Sequence, residues 1–383
     1  MTTEVKIYKG LDGVIIDESR LSLVNGTEGK LIYSGYKIED LAANALYEEV
    51  VYLLWEGKLP TKEQLETLRA DIAAHADVPE PVMNIVKSMP KEADPMAVLR
   101  TAVSALALYD PDSEDDSKEA NRRKAVRLNG QVTTLCAAWP RIRKGLEPVK
   151  PRRDYTLAQN FMYMLNGSEP EESAVNAINA FMVLLTEHGM NASTFVARAT
   201  SSTLSDMHSG IVSAIGTLKG FLHGGANTEA MRMFMEIADP ANVEKWFVDN
   251  IKNGGRKIMG IGHRVYKALD PRAAVLRDRA EALARSSGNA KWFEIADKLQ
   301  ALARADQYFI ERNLYPNVDY YSAIVLYTLH LDVDMFTPLF AMSRMAGWTA
   351  HIMEQKAANR LMRPDVLYVG AMDLPWVPLD QRS

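Results

Sequence analysis

The amino-acid sequence predicts an all-α fold with little β-structure. Apolar residues recur at helical intervals over most of the 383 residues, and runs that alternate apolar with polar residues are scarce. Residues that favour helix ends also stand beside several of the periodic segments. These observations argue against a Rossmann or barrel fold, in which strands and helices alternate along the chain.

The N-terminal part is where some β-structure is expected. Residues 4–16 and Leu31–Tyr33 have the alternation that predicts a short hairpin or two. The stretch Ile38–Trp55 then has helical periodicity and stops at Gly57, a residue type that commonly closes a helix. We therefore predict one helix across Ile38–Trp55.

Helical segments account for most of the remaining chain. Thr61 and Gln64 have the spacing of a capping box and predict a helix through about His75. Pro95 stands where the first residue of a helix favours proline. Further helices are predicted at Asn121–Arg143, Ala174–Leu185, Ser205–Leu218, Glu229–Ile237, Arg272–Arg285, Lys291–Ala303 and Phe340–Gln355.

Composition and charge exclude several classes of protein. Hydrophobic residues make up 47% and charged residues 24%, as in ordinary globular proteins of two or three domains at this length. The net charge of −5 disfavours broad nucleic-acid binding. A single cysteine, Cys136, excludes an intrachain disulfide and a multi-cysteine metal site. With no signal-peptide pattern and no apolar run of the ~18–20 residues a membrane helix needs, we expect a cytoplasmic protein.

Common catalytic motifs are missing from the sequence. It has no Walker loop, no HExxH and no GxSxG. Gly260 and Gly262 begin like a dinucleotide-binding loop, but Val265 stands at the third glycine position. Cys136 lies in an apolar helical run and is interpreted as a small buried residue. Phosphoryl transfer, zinc proteolysis and serine hydrolysis are thereby disfavoured.

Two histidines stand in glycine-rich loops. His223 precedes Gly224 and Gly225, which allow a sharp turn and close approach to a ligand, although a helix-capping turn is the alternative interpretation. His263 directly follows Gly262. Five cations accompany it within residues 256–272, and they favour an anionic ligand over a solvated basic patch: Arg256, Lys257, Arg264, Lys267 and Arg272.

The last of these cations has a specific helical setting. Asp270 is suited to an N-cap and Pro271 to the first helical position, which places Arg272 in the first turn of a helix. The free N–H groups there and the guanidinium together predict a carboxylate site.

Three other polar residues admit two interpretations each. Asp319 precedes a helical run, so an N-cap role alone would explain it. His188 interrupts two helical patterns and would equally be a buried, hydrogen-bonded histidine. Arg344 lies in an apolar helix and needs a carboxylate, from the protein or from a substrate. The spacing of the histidines does not suit a metal site.

Six segments, taken together, resemble the signature segments of citrate synthases in their order. The resemblance covers nearly the whole chain and includes the short prokaryotic form to which 2-methylcitrate synthases also belong. The segments are EHGMNAST, KGFLHGGAN, GIGHRVYKALDPR, YPNVDYYS, SRMAGW and RLMRPDVLYVG.

This resemblance implies a Claisen-type condensation of acetyl-CoA with oxaloacetate and water to give citrate and CoA, the first step of the tricarboxylic acid cycle. Propionyl-CoA and 2-methylcitrate are the alternative. Asp319 would take a proton from the acetyl methyl group, His223 would stabilise the enol or enolate, and His263 would polarise the ketone. No cofactor or metal is implied, since acetyl-CoA is a substrate.

The resemblance also implies the substrate contacts. Oxaloacetate would be bound by His188, Arg272, Arg344 and Arg363. CoA would be bound by Arg256, Lys257, Ile258, Met259 and Gly260.

The family fold implies two domains and a homodimer. A large dimerisation domain of residues 1–223 and 329–383 would be interrupted by a small, mobile, CoA-binding domain of residues 224–328. Arg363 would reach the active site of the neighbouring subunit. Phe221, Thr228 and Ala323 depart from the usual pattern, but none of them replaces a catalytic group.

Overall fold

The computed structural model describes residues 6–11, 13–263, 265–288 and 290–382, and it confirms the predicted all-α fold. Arg264 lies outside the described residues. The α-helices are α1 (Ile38–Asn44), α2 (Tyr47–Glu56), α3 (Lys62–Ala74), α4 (Glu80–Ser88), α5 (Pro95–Leu106), α6 (Lys118–Arg143), α7 (Leu157–Asn166), α8 (Glu172–Leu185), α9 (Ala192–Ser201), α10 (Met207–Leu218), α11 (Ala226–Ile237), α12 (Val243–Trp246), α13 (Pro271–Ser287), α14 (Lys291–Ala305), α15 (Gln307–Glu311), α16 (Val318–Thr328) and α17 (Phe336–Ala357).

The β-structure is one small antiparallel sheet. Its strands are β1 (Ser22–Asn25), β2 (Lys30–Tyr33) and β3 (Tyr36–Lys37), in the order β1-β2-β3. The prediction at Leu31–Tyr33 is therefore confirmed. The prediction at residues 4–16 is wrong for the described residues among them, which form no strand. Side chains there remain exposed, with Ile15 at 91%, so the alternating pattern has no surface to pack against.

The helix predicted across Ile38–Trp55 is two helices, because the chain is extended at Ala45 and Leu46. The backbone groups that this break frees are bound by one side chain. The amide of Asn179 accepts from the N–H of Tyr47 at 2.9 Å and donates to the carbonyl of Ala45 at 2.9 Å. Tertiary hydrogen bonding thus replaces a turn of helix.

Most predicted helix signals are confirmed. Gly57 closes α2 with φ 74°, and the Thr61 and Gln64 side chains form the capping box of α3. The other predicted helices are present with ends that differ by a few residues. Sequence reasoning missed α7, although Thr156 and Gln159 make the same capping box there.

The core is built around α6 and α17, which pack on each other and are buried over most of their length. Cys136 lies buried in α6, and burial raises the pKa of its thiol, so it is a packing residue as predicted. Helices α11, α13, α14 and α16 pack on one another. They contact the rest of the chain chiefly through α13, against α1 and α8, and through α11, against α17.

After α17 the chain is extended and exposed. Several large apolar side chains in this arm, residues 359–382, are half or more exposed: Leu361, Val366, Leu367, Tyr368, Val369, Met372, Leu374, Trp376 and Leu379. None of the helices in the described part of the chain has the length and apolar character needed to cross a membrane.

Candidate active site

Polar residues from four chain segments meet beside the N-terminus of α16. They come from the α8–α9 loop, the loop before α11, the loop before α13 and helix α17. The charge of Arg344 lowers the pKa of His188, His223 and Asp319. The charge of Arg272 lowers the pKa of His188, His263 and Asp319. The residues predicted from the glycine-flanked loops therefore form one cluster.

The loop carrying His263 is fixed to the chain that enters α16. The N–H of Gly262 donates to Tyr315 at 2.8 Å, and the N–H of Asn317 donates to the Gly260 carbonyl at 2.9 Å. The Asn317 side chain donates to the Gly262 carbonyl at 2.8 Å. These bonds hold His263 and the start of α16 in a fixed relation.

Gly260 is required where the loop touches α16. It has φ 80°, and a Cβ at this position would lie 2.8 Å from the Cα of Tyr320. We expect Gly260→Ala to lower the free energy of unfolding by about 2 kcal/mol or more, because left-handed strain and a backbone clash add. Chemical denaturation measures this loss.

Gly255→Ala is the matched control for that variant. Gly255 has a similar φ of 64°, but a Cβ there would meet nothing within 4 Å. It should cost about 1 kcal/mol, the conformational term alone. Equal losses in the two variants would contradict the proposed contact with α16.

His263 is a neutral hydrogen-bond donor. Its Nδ1 accepts from the N–H groups of Val265 and Tyr266 at 3.0 and 3.2 Å, so the proton resides on Nε2. Burial and the charge of Arg272 lower its pKa to about 4, although Asp270 opposes them. An uncharged ring with a proton on Nε2 suits a carbonyl oxygen as its partner.

His223 has the opposite tautomer. Its Nε2 accepts from the N–H of Ser193 at 3.2 Å and lies 2.8 Å from the Ser193 hydroxyl, so Nδ1 carries the proton. Burial and Arg344 lower the pKa of His223 to about 4. Trp348 donates to the same hydroxyl at 3.2 Å. His223 is therefore also a fixed, neutral donor.

Asp319 is not an N-cap, so that alternative is wrong. Asn317 caps α16 by accepting from the N–H of Asp319 at 2.8 Å. Within the described residues, no group hydrogen-bonds to the Asp319 carboxylate. Burial raises its pKa to about 6, with Asp270 adding to the rise and Arg272 and Arg344 opposing it. A carboxyl group with this pKa and no partner is suited to accept a proton near neutral pH.

The two buried arginines differ in their partners. Arg272 forms a bidentate pair with Asp270 at 3.0 and 2.8 Å, and Asp270 caps α13 as predicted. Arg344 is 1% exposed, and its Nε donates to the Leu185 carbonyl at 2.6 Å. No carboxylate of the described chain lies within 4.0 Å of Arg344. A buried cation with no directly paired carboxylate favours an anionic ligand.

His188 contacts both His263 and Tyr266. Its ring lies 5.5 Å from the ring of His263, and its Nε2 is 3.2 Å from the Tyr266 hydroxyl. Burial, together with Arg272 and Arg344, holds the pKa of His188 well below its usual value. Both interpretations of His188 therefore apply, since it is hydrogen-bonded and lies in the cluster.

The residues expected at CoA differ in their exposure. Arg256 pairs with Glu236 at 2.7 and 2.8 Å, Lys257 is exposed, and Met259 is partly buried. Ile258 and Gly260 are buried, and their carbonyls accept from the N–H groups of Ile261 and Asn317. A cavity of about 290 Å³ adjoins this loop, and its lining includes Arg232, Arg256, Lys257 and Met259.

Arg363 is not brought to the cluster by contacts within the chain. Its side chain is 75% exposed and pairs only with Asp365, at 3.1 Å, among the described residues. It lies in the exposed C-terminal arm. Across the described residues, no group of three or more His, Cys, Asp or Glu side chains has an arrangement that could hold a metal ion.

Sequence reasoning missed the residues that orient the site. Ser193 fixes the tautomer of His223, Tyr266 contacts His188, and Asn317 ties two loops together. Each lies within a few residues of a predicted site residue, which is the only signal the sequence offers. Their partners are distant in the chain.

Comparison with known proteins identifies the family. Residues 10–365 match the family model described as "Citrate synthase, C-terminal domain". The chain is 46% identical to "Citrate synthase 2" of Bacillus subtilis (strain 168), over 98% of this chain and 99% of the relative. It is 41% identical to a "2-methylcitrate synthase" of Mycobacterium tuberculosis, over 95% of this chain and 91% of the relative.

Solved structures agree with this relationship. Citrate synthase from Pyrobaculum aerophilum has a TM-score of 0.92 at 39% identity, covering 98% of this chain and 95% of that one. The ternary complex of the Thermoplasma acidophilum citrate synthase with carboxymethyl coenzyme A and oxaloacetate has a TM-score of 0.92 at 37% identity, covering 98% and 100%. From its sequence and its fold, this chain belongs to the citrate synthase family.

Proposed function

We propose that this acyltransferase condenses acetyl-CoA with oxaloacetate and water to give citrate and CoA. The observation that carries the proposal is one cluster of three residues. It contains two neutral histidines of opposite tautomer, His223 and His263, and the carboxylate of Asp319, which no described group hydrogen-bonds. A weak carbon acid requires a base and a stabiliser of the developing oxyanion at the same time.

The first step forms the nucleophile. The Asp319 carboxylate takes a proton from the acetyl methyl group of the thioester. The Nδ1–H group of His223 donates a hydrogen bond to the thioester oxygen, on which negative charge develops. Because the pKa of His223 is about 4, the ring remains a neutral donor throughout.

The second step forms the carbon–carbon bond. The enolate carbon attacks the ketone carbon of oxaloacetate, and the ketone oxygen receives a proton from the Nε2–H group of His263. Water then hydrolyses the resulting thioester, which releases CoA and citrate. The fixed hydrogen bonds of both histidines mean that little reorganisation is needed during reaction.

The substrate contacts are proposed on charge and burial. Arg344, which forms no ion pair with a carboxylate of the described residues, binds one carboxylate of oxaloacetate, with His188 and Arg272 beside it. The 290 Å³ cavity near Arg256, Lys257 and Met259 receives the CoA phosphates and adenine, and the buried Ile258 and Gly260 complete the same loop. The solved relative with carboxymethyl coenzyme A and oxaloacetate supports this pair of ligands.

We also propose a homodimer and a mobile small domain. The exposed apolar side chains of the C-terminal arm need a covering surface, and a second copy would provide one while receiving Arg363.

The mutual packing of α11, α13, α14 and α16 supports a small domain of residues 224–328, between 1–223 and 329–383. A cytoplasmic location is proposed from the single cysteine.

A second candidate is 2-methylcitrate synthesis from propionyl-CoA. The 41% identity to a relative of that name favours it as the alternative. One additional methylene changes discrimination in an apolar pocket by only about 1–3 kcal/mol, so the two reactions require the same cluster.

Release of free thiol tests the proposal directly. Thiol should appear from acetyl-CoA only when oxaloacetate is present, and absence of release from either acyl-CoA would sink the proposal. Running propionyl-CoA in parallel decides the substrate. A higher kcat/KM for propionyl-CoA would establish the second candidate instead.

The rate should fall in acid as Asp319 becomes protonated. Since its pKa is about 6 and the base must be ionised, kcat/KM should be half-maximal near pH 6 and should decrease below it. His223 and His263 should cause no change in kcat/KM between pH 5 and 8, because their pKa values of about 4 keep them neutral there. A fall in kcat/KM centred near pH 4, with none near pH 6, would contradict the assignment of Asp319 as the base.

A further inference from the structure

A buried carboxylate lies immediately before His188 in the chain. Glu187 is 0% exposed, and its Oε1 accepts three hydrogen bonds. The donors are the Ser22 hydroxyl at 3.0 Å, the N–H of Gly189 at 2.6 Å and the Nε2 of His351 at 3.0 Å. The reaction proposed above makes no use of Glu187.

The proton on His351 is fixed by a second residue. Arg198 can only donate, and it does so to Nδ1 of His351 at 3.3 Å, so Nε2 carries the proton that faces Glu187. Arg198 is 1% exposed and also pairs with Asp17 and, at 2.8 Å, with Glu354. A continuous polar chain therefore runs from a partly exposed aspartate to Glu187.

Glu187 remains ionised in spite of its burial. Burial raises its pKa, but His351, Arg344 and Ser22 outweigh that effect and leave the pKa below its usual value. Its second oxygen, Oε2, is buried without a hydrogen-bond partner among the described residues. A buried charge costs free energy unless it is fully compensated, so stability alone does not explain a carboxylate at this position.

The geometry ties Glu187 to two of the three residues proposed at the substrate carboxylates, His188 and Arg344. His188 lies between Glu187 and Gly189, which bond to each other across it. Arg344 and His351 lie about two turns apart on one face of α17, and Arg344 donates to the Leu185 carbonyl. The segment that leads into His188 is thus held to α17 at two points, Leu185 and Glu187.

We propose that Glu187, oriented by His351, is a positioning residue that holds His188 and Arg344 in place for the carboxylates of oxaloacetate. The inference rests on the proposed function. Glu187 supplies a fixed anion behind the unpaired Arg344 and closes the turn that presents His188. Neither His223 nor Asp319 hydrogen-bonds to it, so its direct contacts are confined to the dicarboxylate side of the site.

Glu187→Gln tests the proposal, because it preserves shape and removes the charge. We expect KM for oxaloacetate to rise by about ten-fold or more, while KM for acetyl-CoA changes by less than about two-fold. The acid limb of the rate should also move to lower pH. Without the anion, Arg344 acts on Asp319 unopposed and lowers its pKa further.

Glu354→Gln is the matched control. It removes a carboxylate from the same polar chain. Glu354 lies in α17, as His351 does, but on the far side of Arg198 from Glu187. It should leave KM for oxaloacetate and the acid limb unchanged. Equal effects in both variants, or a Glu187→Gln variant with normal KM and pH profile, would overturn the positioning role.

His351 gives an independent route if Glu187→Gln does not fold. His351→Gln can still donate to Glu187 and should stay near the unmodified KM, whereas His351→Ala should raise KM for oxaloacetate. Equal values for the two would count against the proposal. Calorimetric titration of oxaloacetate into the unmodified protein and the variants distinguishes a failure of the proposed function from a failure of the positioning role. Binding of oxaloacetate without turnover would contradict only the proposed function.

Discussion

Asp319→Asn is expected to lower kcat by about 10³-fold or more, because the amide cannot accept the proton from the acetyl methyl group. Oxaloacetate should still bind, since Arg344, Arg272 and His188 are unchanged. The measurement is oxaloacetate-dependent thiol release together with calorimetric titration of oxaloacetate. A near-normal rate would show that another group is the base.

The same variant should be more stable than the unmodified protein at neutral pH. A carboxyl whose pKa is raised to about 6 favours the folded state only while it is protonated, and that contribution is lost as pH rises through 6. The neutral amide avoids this cost, so the midpoint of thermal unfolding should rise at pH 7.5 and much less at pH 4. Loss of activity together with gain of stability is not expected from a variant that simply misfolds.

Asp94→Asn provides the control for Asp319→Asn. Asp94 caps α5 by accepting from the N–H of Ala97 at 2.9 Å, and asparagine caps helices about equally well. Its kcat should therefore remain within experimental scatter of the unmodified value.

Arg344→Gln is expected to raise KM for oxaloacetate by about 10²–10³-fold, because a buried charged contact to the carboxylate is lost. Glutamine can still donate to the Leu185 carbonyl, so the helix contact is preserved. Steady-state kinetics with varied oxaloacetate measures the effect. The opposite finding, a change confined to acetyl-CoA, would place the oxaloacetate carboxylate elsewhere.

A second effect distinguishes Arg344 from a merely structural residue. Its charge opposes the burial that raises the pKa of Asp319, so its removal should move the acid limb of the rate above pH 6. Arg277→Gln removes a partly exposed arginine that pairs with Asp297 and should move neither KM nor the acid limb.

Sequence reasoning located the chemistry better than it located the supports. His223 and His263 were predicted because glycines beside a histidine have a local physical meaning, and that meaning needs no partner. The tautomers could not be predicted from the sequence, because Ser193, in helix α9, sets that of His223. Asp319 was equally consistent with an N-cap until Asn317, two residues earlier, proved to hold that role.

The same limit explains the errors in the fold. The break at Ala45 cannot be read from local periodicity, since the amide that stabilises it belongs to Asn179 in α8. Residues 4–16 alternate correctly for a strand, but no surface in the described chain covers them. The periodicity of apolar residues predicts the secondary structure that a segment favours, whereas its tertiary contacts determine the structure that it forms.

The three hydrogen bonds between the His263 loop and the chain before α16 bear on the domain motion proposed above. Because Gly260, Gly262 and Asn317 join the two backbones, we expect His263 and Asp319 to move as one body. Movement of the proposed small domain would then separate this acid–base pair from His223 and His188 and would keep the distance within the pair. Substrate could enter and product could leave while the proton donor and the proton acceptor stay aligned for the next turnover.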